Sequence, residues 1–155
     1  HERQARRDAD DADPRRELSY RLTLQEVPAQ AAPDFTGLTV ALKLSMPVFV
    51  EPLKPVRPDL EFTAARDANG QLVLRADNRG TAHARIHSFT LTPIDGGGAT
   101  FQDTIATYVL PGQARTWTMK NNDKTRDDST ALAGRYRLKA NTERGEVVTE
   151  LVITR

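Results

Sequence analysis

Residues 37–52, Gly-Leu-Thr-Val-Ala-Leu-Lys-Leu-Ser-Met-Pro-Val-Phe-Val-Glu-Pro, decide how the chain is read. The even positions Leu38, Val40, Leu42, Leu44, Met46, Val48 and Val50 are all apolar, while the odd ones run Thr39, Ala41, Lys43, Ser45, Pro47, Phe49. A period of two over that length predicts a long β-strand with one apolar face, because successive side chains leave opposite sides of a pleated sheet. Pro47 has no N–H to give to a ladder, so the strand is expected at a sheet edge or a bulge. A long edge strand with an apolar stripe is either an aggregation liability or a docking surface.

Upstream, residues 17–27 alternate in the same way, with Leu18, Tyr20, Leu22 and Leu24 on one face and Ser19, Arg21, Thr23 and Gln25 on the other, until Pro28 stops the run. Two consecutive strands joined by a short loop pair most simply as an antiparallel hairpin, since a parallel pair needs a longer crossover. Residues 1–16 are almost wholly charged, with both signs mixed and no apolar period, and read as a solvated arm. The chain opens at His1 without a methionine or an apolar leader, as expected of a processed product or a fragment.

Downstream, Glu51 to Asp59 carries three prolines at three-residue spacing, the composition of a stiff connection, and the domain boundary is placed there. The expected division is residues 1–53 as the closing strands of a first domain, 54–59 as linker and 60–155 as a second domain. Within the second, strands are expected at 60–66, 71–76, 83–92, 104–109, 114–119, 134–140 and 146–154. The turns between them are marked by Asp67-Ala-Asn-Gly70, by Asp77–Ala82 with Gly80 available for positive φ, by Asp95–Thr100 and by Leu110-Pro-Gly-Gln113. In the third strand, alternation sets Ala84, Ile86, Ser88 and Thr90 against His87, Phe89 and Leu91. Seven short strands at near-regular spacing over about a hundred residues predict an all-β, immunoglobulin-like sandwich. Without cysteine, and with Trp117 alone of its kind, the antibody-type core is excluded but not the architecture.

The 22 basic residues nearly balance the 21 acidic ones over 155 residues, which leaves no nucleic-acid footprint. No run approaches the roughly 18 apolar residues that span a bilayer. Without cysteine there is neither a disulfide framework nor a thiol nucleophile. His83 and His87 lie about 13 Å apart along an extended strand, too far for one metal ion with no third ligand near, and read as surface or core-rim residues. The Asp95-Gly-Gly-Gly98 stretch has no lysine and no following helix, so it is a turn and not a phosphate loop. The acidic clusters Asp8–Asp13 and Asp123–Asp128 lack the glycine and terminal glutamate of a calcium loop. Ser88 and His87, as strand neighbours, face opposite ways and form no nucleophile–base pair. No catalytic residue, metal site or cofactor is expected.

Four stretches together carry a family resemblance: Tyr20–Pro28 (YRLTLQEVP), Val40–Pro52 (VALKLSMPVFVEP), Leu72–Leu91 and Tyr108–Met119. In this order they resemble the periplasmic pilus-assembly chaperones of the chaperone/usher pathway, in particular the archaic or spore-coat-like branch, over residues 17–155. The resemblance implies two immunoglobulin-like domains, the second complete here and the first represented by its last two or three strands, that is, an N-terminally truncated member. It implies a periplasmic, non-enzymatic protein that caps pilus or surface-coat subunits by lending them an edge strand and hands them to an outer-membrane usher. In that mechanism the apolar residues Leu38, Val40, Leu42, Leu44 and Met46 enter the subunit. The family's cationic pair grips the subunit's C-terminal carboxylate. Its first-strand arginine falls outside the stretch that matches, and its donor-strand lysine falls near Pro47, which leaves Lys43 and Arg21 as the cations in reach. A structural or adhesive surface module that self-assembles through the hairpin is the alternative.

Overall fold

The computed structural model describes residues 15–27, 37, 40–95, 98–119 and 133–153. Nine strands follow one another: β1 Leu18–Gln25, β2 Lys43–Val50, β3 Leu60–Arg66, β4 Leu72–Asn78, β5 Ala84–Pro93, β6 Phe101–Val109, β7 Ala114–Thr118, β8 Gly134–Thr142 and β9 Gly145–Ile153. β1 and β2 form a separate two-stranded sheet, β3-β4-β7 a three-stranded one and β6-β5-β8-β9 a four-stranded one. All pairings are antiparallel. The last two sheets make the expected seven-strand sandwich.

The sandwich core follows from alternation. In β4 Leu72, Leu74, Ala76 and Asn78 are buried and the residues between them are not; in β8 the buried set is Tyr136, Leu138 and Ala140. These side chains meet Phe62, Ile86, Phe89, Leu91, Phe101, Val109, Leu151 and Ile153 from the facing strands. Trp117 of β7, opposite Leu74 in the ladder, sets its ring edge-on to Phe89 with centroids 5.6 Å apart, a preferred aromatic geometry.

Alternation does not run through β5 as the sequence suggests. Opposite β8 the register shifts between Ile86 and Ser88 so that His87 is the extra residue of a β-bulge, whereas opposite β6 the extra residue lies on β6, where Ile105 and Ala106 face His87 alone; within β5 the buried set changes from Ala84 and Ile86 to Phe89 and Leu91. Ser88 and Thr90 therefore do not share the face of Ala84. A bulge inserts one unpaired residue and reverses the parity of everything after it.

Two turns are built as their residues suggest. Asp67 Oδ1 accepts from the N–H groups of Asn69 (2.9 Å) and Gln71 (2.8 Å), and Gly70 takes φ 76°. Pro111 and Gly112 form the centre of a type II turn, Gly112 at φ 70° and Gln113 N–H donating to Leu110 O at 3.0 Å. Gly80 is different: it does not have positive φ. A β-carbon there would lie 2.6 Å from the carbonyl carbon of Pro58 and closer still to Arg57 O and Asp59 N, so the glycine is required by a close approach of backbone. Around it Asn78 makes four hydrogen bonds. Its Nδ2 donates to Ala82 O (2.8 Å) and Val109 O (2.9 Å), and its Oδ1 accepts from Asp59 N (3.1 Å) and Gly80 N (3.0 Å). With Thr81 and Ala82 N–H both donating to Arg57 O, residues 57–59 are sewn to the sandwich although they belong to no strand.

The early strands differ from expectation in length. The alternating stretch from residue 37 is a strand only from Lys43, and β6 begins at Phe101, three residues before the expected start. Leu38 and Thr39, the acidic clusters Asp8–Asp13 and Asp123–Asp128, and the charged arm up to residue 14 lie outside the described residues.

Candidate functional site

β1 and β2 pair with Leu18 opposite Val50, Tyr20 opposite Val48, Leu22 opposite Met46 and Leu24 opposite Leu44. All eight residues lie on one face of the hairpin. Seven of them are exposed, Met46 at 40%, Leu44 at 44%, Leu22 at 46% and Tyr20 at 51%. Among the described residues nothing covers this face. Val40 and Leu42, which share its parity, are exposed at 74% and 56% and precede β2. Thus Leu44 and Met46 of the expected binding set stand in the hairpin, Val40 and Leu42 lead into it, and Leu38 is outside the described residues.

Glu26 N–H donates to Leu42 O at 2.8 Å, which fixes the alternation of the ladder. Even residues point their N–H and C=O groups across the hairpin; odd ones point them outward. Pro47 thus occupies a position whose N–H is not needed by the pair, and the outward N–H groups of β2 are those of Lys43, Ser45 and Phe49. This is where a proline can sit in a strand.

The opposite, odd face leans toward the sandwich. A cleft of about 210 Å³ lies there, lined by Ser19, Tyr20, Arg21, Pro47, Phe49, Tyr108, Leu110 and Arg115. Arg21 is opposite Pro47 and donates through one guanidinium N–H to Ser45 Oγ at 3.2 Å. Arg115 enters from β7. Lys43 pairs with Gln25 at the other end of the hairpin, four residues from Pro47, and does not line the cleft. The two expected cations are therefore not brought together: Arg21 shares the cleft with Arg115.

Above the cleft, a cluster seats the hairpin on the sandwich. Glu17, immediately before β1, donates its N–H to Thr81 O at 2.9 Å, and its fully buried carboxylate faces His83 Nδ1 at 2.7 and 2.9 Å while accepting His83 N–H at 3.2 Å. The other ring nitrogen of His83 lies 3.3 Å from Glu143 Oε1. Phe49 of β2 stacks flat on the His83 ring, centroids 3.7 Å apart and planes 13° apart, and both rings meet Tyr108 of β6. Arg85 holds its guanidinium carbon 5.5 Å from the Tyr108 centroid. From the sequence alone His83 reads as a surface or core-rim residue, which its partial burial fits, but nothing there pairs it with Glu17, so the cluster is not anticipated. Signals existed in the acid at the head of an alternating run and the lone aromatic on the odd face of β2. His87, by contrast, is exposed and unpaired opposite β8. Among the described residues no group of three His, Asp or Glu side chains is placed to hold a metal ion.

No protein-family model and no curated protein matches the chain. Among solved structures, the crystal structure of the YadV chaperone matches 91% of the chain with a TM-score of 0.54 at 18% identity. The fold is that of this chaperone. The chain spans 65% of the YadV chain's length. The class 5 fimbriae chaperone CfaA (TM-score 0.48, 15% identity) and a chaperone–tip adhesin complex of CFA/I fimbriae biogenesis (0.47, 11%) each match over 90% of this chain and 60% of theirs. The immunoglobulin-like, all-β architecture expected from the sequence is thus shared with the YadV chaperone.

Proposed function

We propose that this chain is the subunit-binding part of a periplasmic assembly chaperone, which caps pilus or surface-coat subunits by lending them the outer edge of β2 for delivery to an outer-membrane usher. The observation that carries the reading is the hairpin: two strands with one apolar face exposed among the described residues and an edge of outward N–H groups, set beside a sandwich of the YadV chaperone's fold. An incomplete sandwich that lacks a strand needs main-chain partners along an edge and apolar side chains at alternate positions, and β-strand addition supplies both. Burying Val40, Leu42, Leu44 and Met46 contributes roughly 1.5–3 kcal/mol each, about 6–12 kcal/mol before the cost of association.

The cleft supports Arg21 rather than Lys43 as the anchor for a subunit's terminal carboxylate. Arg21 and Arg115 line one concave space, whereas Lys43 stands at the far end of the hairpin. A planar guanidinium also binds a carboxylate through two parallel bonds.

The test is capture of purified subunits. Arg21→Ala weakens capture by about 1.5–3 kcal/mol, the range for a charge-assisted hydrogen bond, and the loss vanishes for a subunit with an amidated C-terminus. Lys43→Ala changes little. Equal losses with free and amidated subunits would reject the anchor. Concentration-dependent filaments of this chain alone, with no subunit bound, would instead favour a self-assembling surface module.

A further inference from the structure

Arg115 is a charged residue in a core position. In the ladder between β4 and β7 it stands opposite Ala76, as Trp117 stands opposite Leu74, and residues opposite each other in an antiparallel pair present their side chains to the same face. Ala76 and Leu74 are fully buried and Trp117 packs on the core, so Arg115 has inward parity. It is exposed nonetheless, because at this end of β7 the inward side is the cleft and not the core.

Arg21 lines the same cleft from the hairpin, and no acidic side chain lines it. The acids that neighbour these arginines on their own or paired strands are engaged elsewhere. Glu17, before β1, is held by His83, and Asp77, next to Ala76 in β4, is held by Arg75 through two bonds of 2.6 and 2.7 Å. Arg21 gives one N–H to Ser45 Oγ, out of the five that a guanidinium carries. Among the described residues no hydrogen bond or ion pair engages the Arg115 guanidinium. Two like charges facing one space with apolar walls, here Pro47, Phe49 and Leu110, repel each other and focus a positive potential that an anion relieves.

Resting on the reading of this cleft as the anchor for a subunit's terminal carboxylate, we infer that Arg115 is the second half of that anchor. Arg21 from the hairpin and Arg115 from the sandwich take the carboxylate between them, and the apolar wall takes the side chain of the residue that bears it. That wall is preformed, since Phe49 is held flat against His83 and both rings meet Tyr108. The class of ligand is therefore a carboxylate on an apolar terminal residue. Because the two cations belong to different sheets, the bound carboxylate also bridges hairpin and sandwich.

The probe is N-acetyl-leucine, with N-acetyl-leucinamide as its uncharged counterpart, titrated into the isotope-labelled chain at constant ionic strength and followed by nuclear magnetic resonance. The guanidinium Nε–H signals of Arg21 and Arg115, assigned through Arg21→Lys and Arg115→Lys, shift along one saturating curve with the acid and stay still with the amide. The signal of Arg144, on the β8–β9 turn, does not move. Arg115→Gln weakens binding of the acid at least about threefold, within the range of an exposed ion pair. N-acetylglycine binds at least about threefold more weakly than N-acetyl-leucine, because apolar burial is lost. An Arg21 signal that moves alone, with affinity kept in Arg115→Gln, overturns the role of Arg115 and leaves the anchor at Arg21 standing. No shift with the acid, or equal shifts with acid and amide, overturns the anchor itself along with the clamp. Equal affinities for the glycine and leucine acids overturn the assignment of an apolar terminal residue.

Discussion

Asn78 concentrates the most bonding in the fewest atoms. Its amide is fully buried and makes four hydrogen bonds, to residues 59, 80, 82 and 109. Asn78→Asp keeps the shape but turns two donors into acceptors aimed at carbonyl oxygens. With about 1–3 kcal/mol for each buried group left unpaired, the expected loss is roughly 2–6 kcal/mol, read as a lower denaturant midpoint. Tyr136 supplies a pH test at the same scale. Burial raises the pKa of its phenol above the ordinary value, with Arg66 opposing the shift. A group whose folded pKa is raised contributes stability below its unfolded pKa and loses it as pH rises through the folded value. Stability therefore falls above about pH 10, and Tyr136→Phe flattens that alkaline limb in a melting-temperature profile. Neither role is legible in the sequence. Asn78 and Gly80 look like turn residues because they are, but what makes them indispensable is the backbone of residues 57–59, and no local pattern announces a contact twenty residues upstream. The same holds for Glu17 and His83, which lie 66 positions apart.

At the scale of the element, the alternation between residues 37 and 52 gave the face correctly and the length incorrectly. A period of two says which side chains share a side; it does not say where a strand runs out of partner. β1 ends at Gln25, Glu26 still bonds to Leu42, and Pro28 follows, so among the described residues the ladder stops at Leu42. His87 shows the complementary failure, since an extra residue in β5 flips parity without any change in composition. The parity that did survive makes a test. Leu44 is on the apolar face and Ser45 on the other, and neither belongs to the sandwich core. If the apolar face enters a subunit, Leu44→Arg buries an unpaired charge there and reduces capture by at least about 3 kcal/mol, while the sandwich keeps its melting temperature. Ser45→Arg weakens capture far less. Equal losses at the two positions, or a fall in melting temperature with Leu44→Arg, would count against the docking role.

For the whole molecule, the question is how stability is divided. The sandwich has two facing sheets and a shared core of large side chains. The hairpin has two strands, an apolar face that is exposed among the described residues and a joint made by Glu17, Phe49 and His83. An isolated two-stranded sheet is marginal in water, because it fixes backbone without a second layer to bury its side chains against. Opening the hairpin should therefore cost much less than opening the sandwich. Amide hydrogen exchange reads both at once. The inward N–H groups of Tyr20, Leu22, Leu44 and Met46 exchange by a local opening, at least about a hundredfold faster than those of Leu74, Ile86 and Leu138 in the core strands. A free-energy gap of a little under 3 kcal/mol suffices for that ratio. Capture of a subunit slows the hairpin amides toward the sandwich rate, since a partner that binds only the formed hairpin stabilises it by mass action. Equal protection in the free protein would mean that something already covers the apolar face. In that case dilution separates two causes: protection that falls on dilution marks a second copy of the chain, and protection that stays marks cover from within.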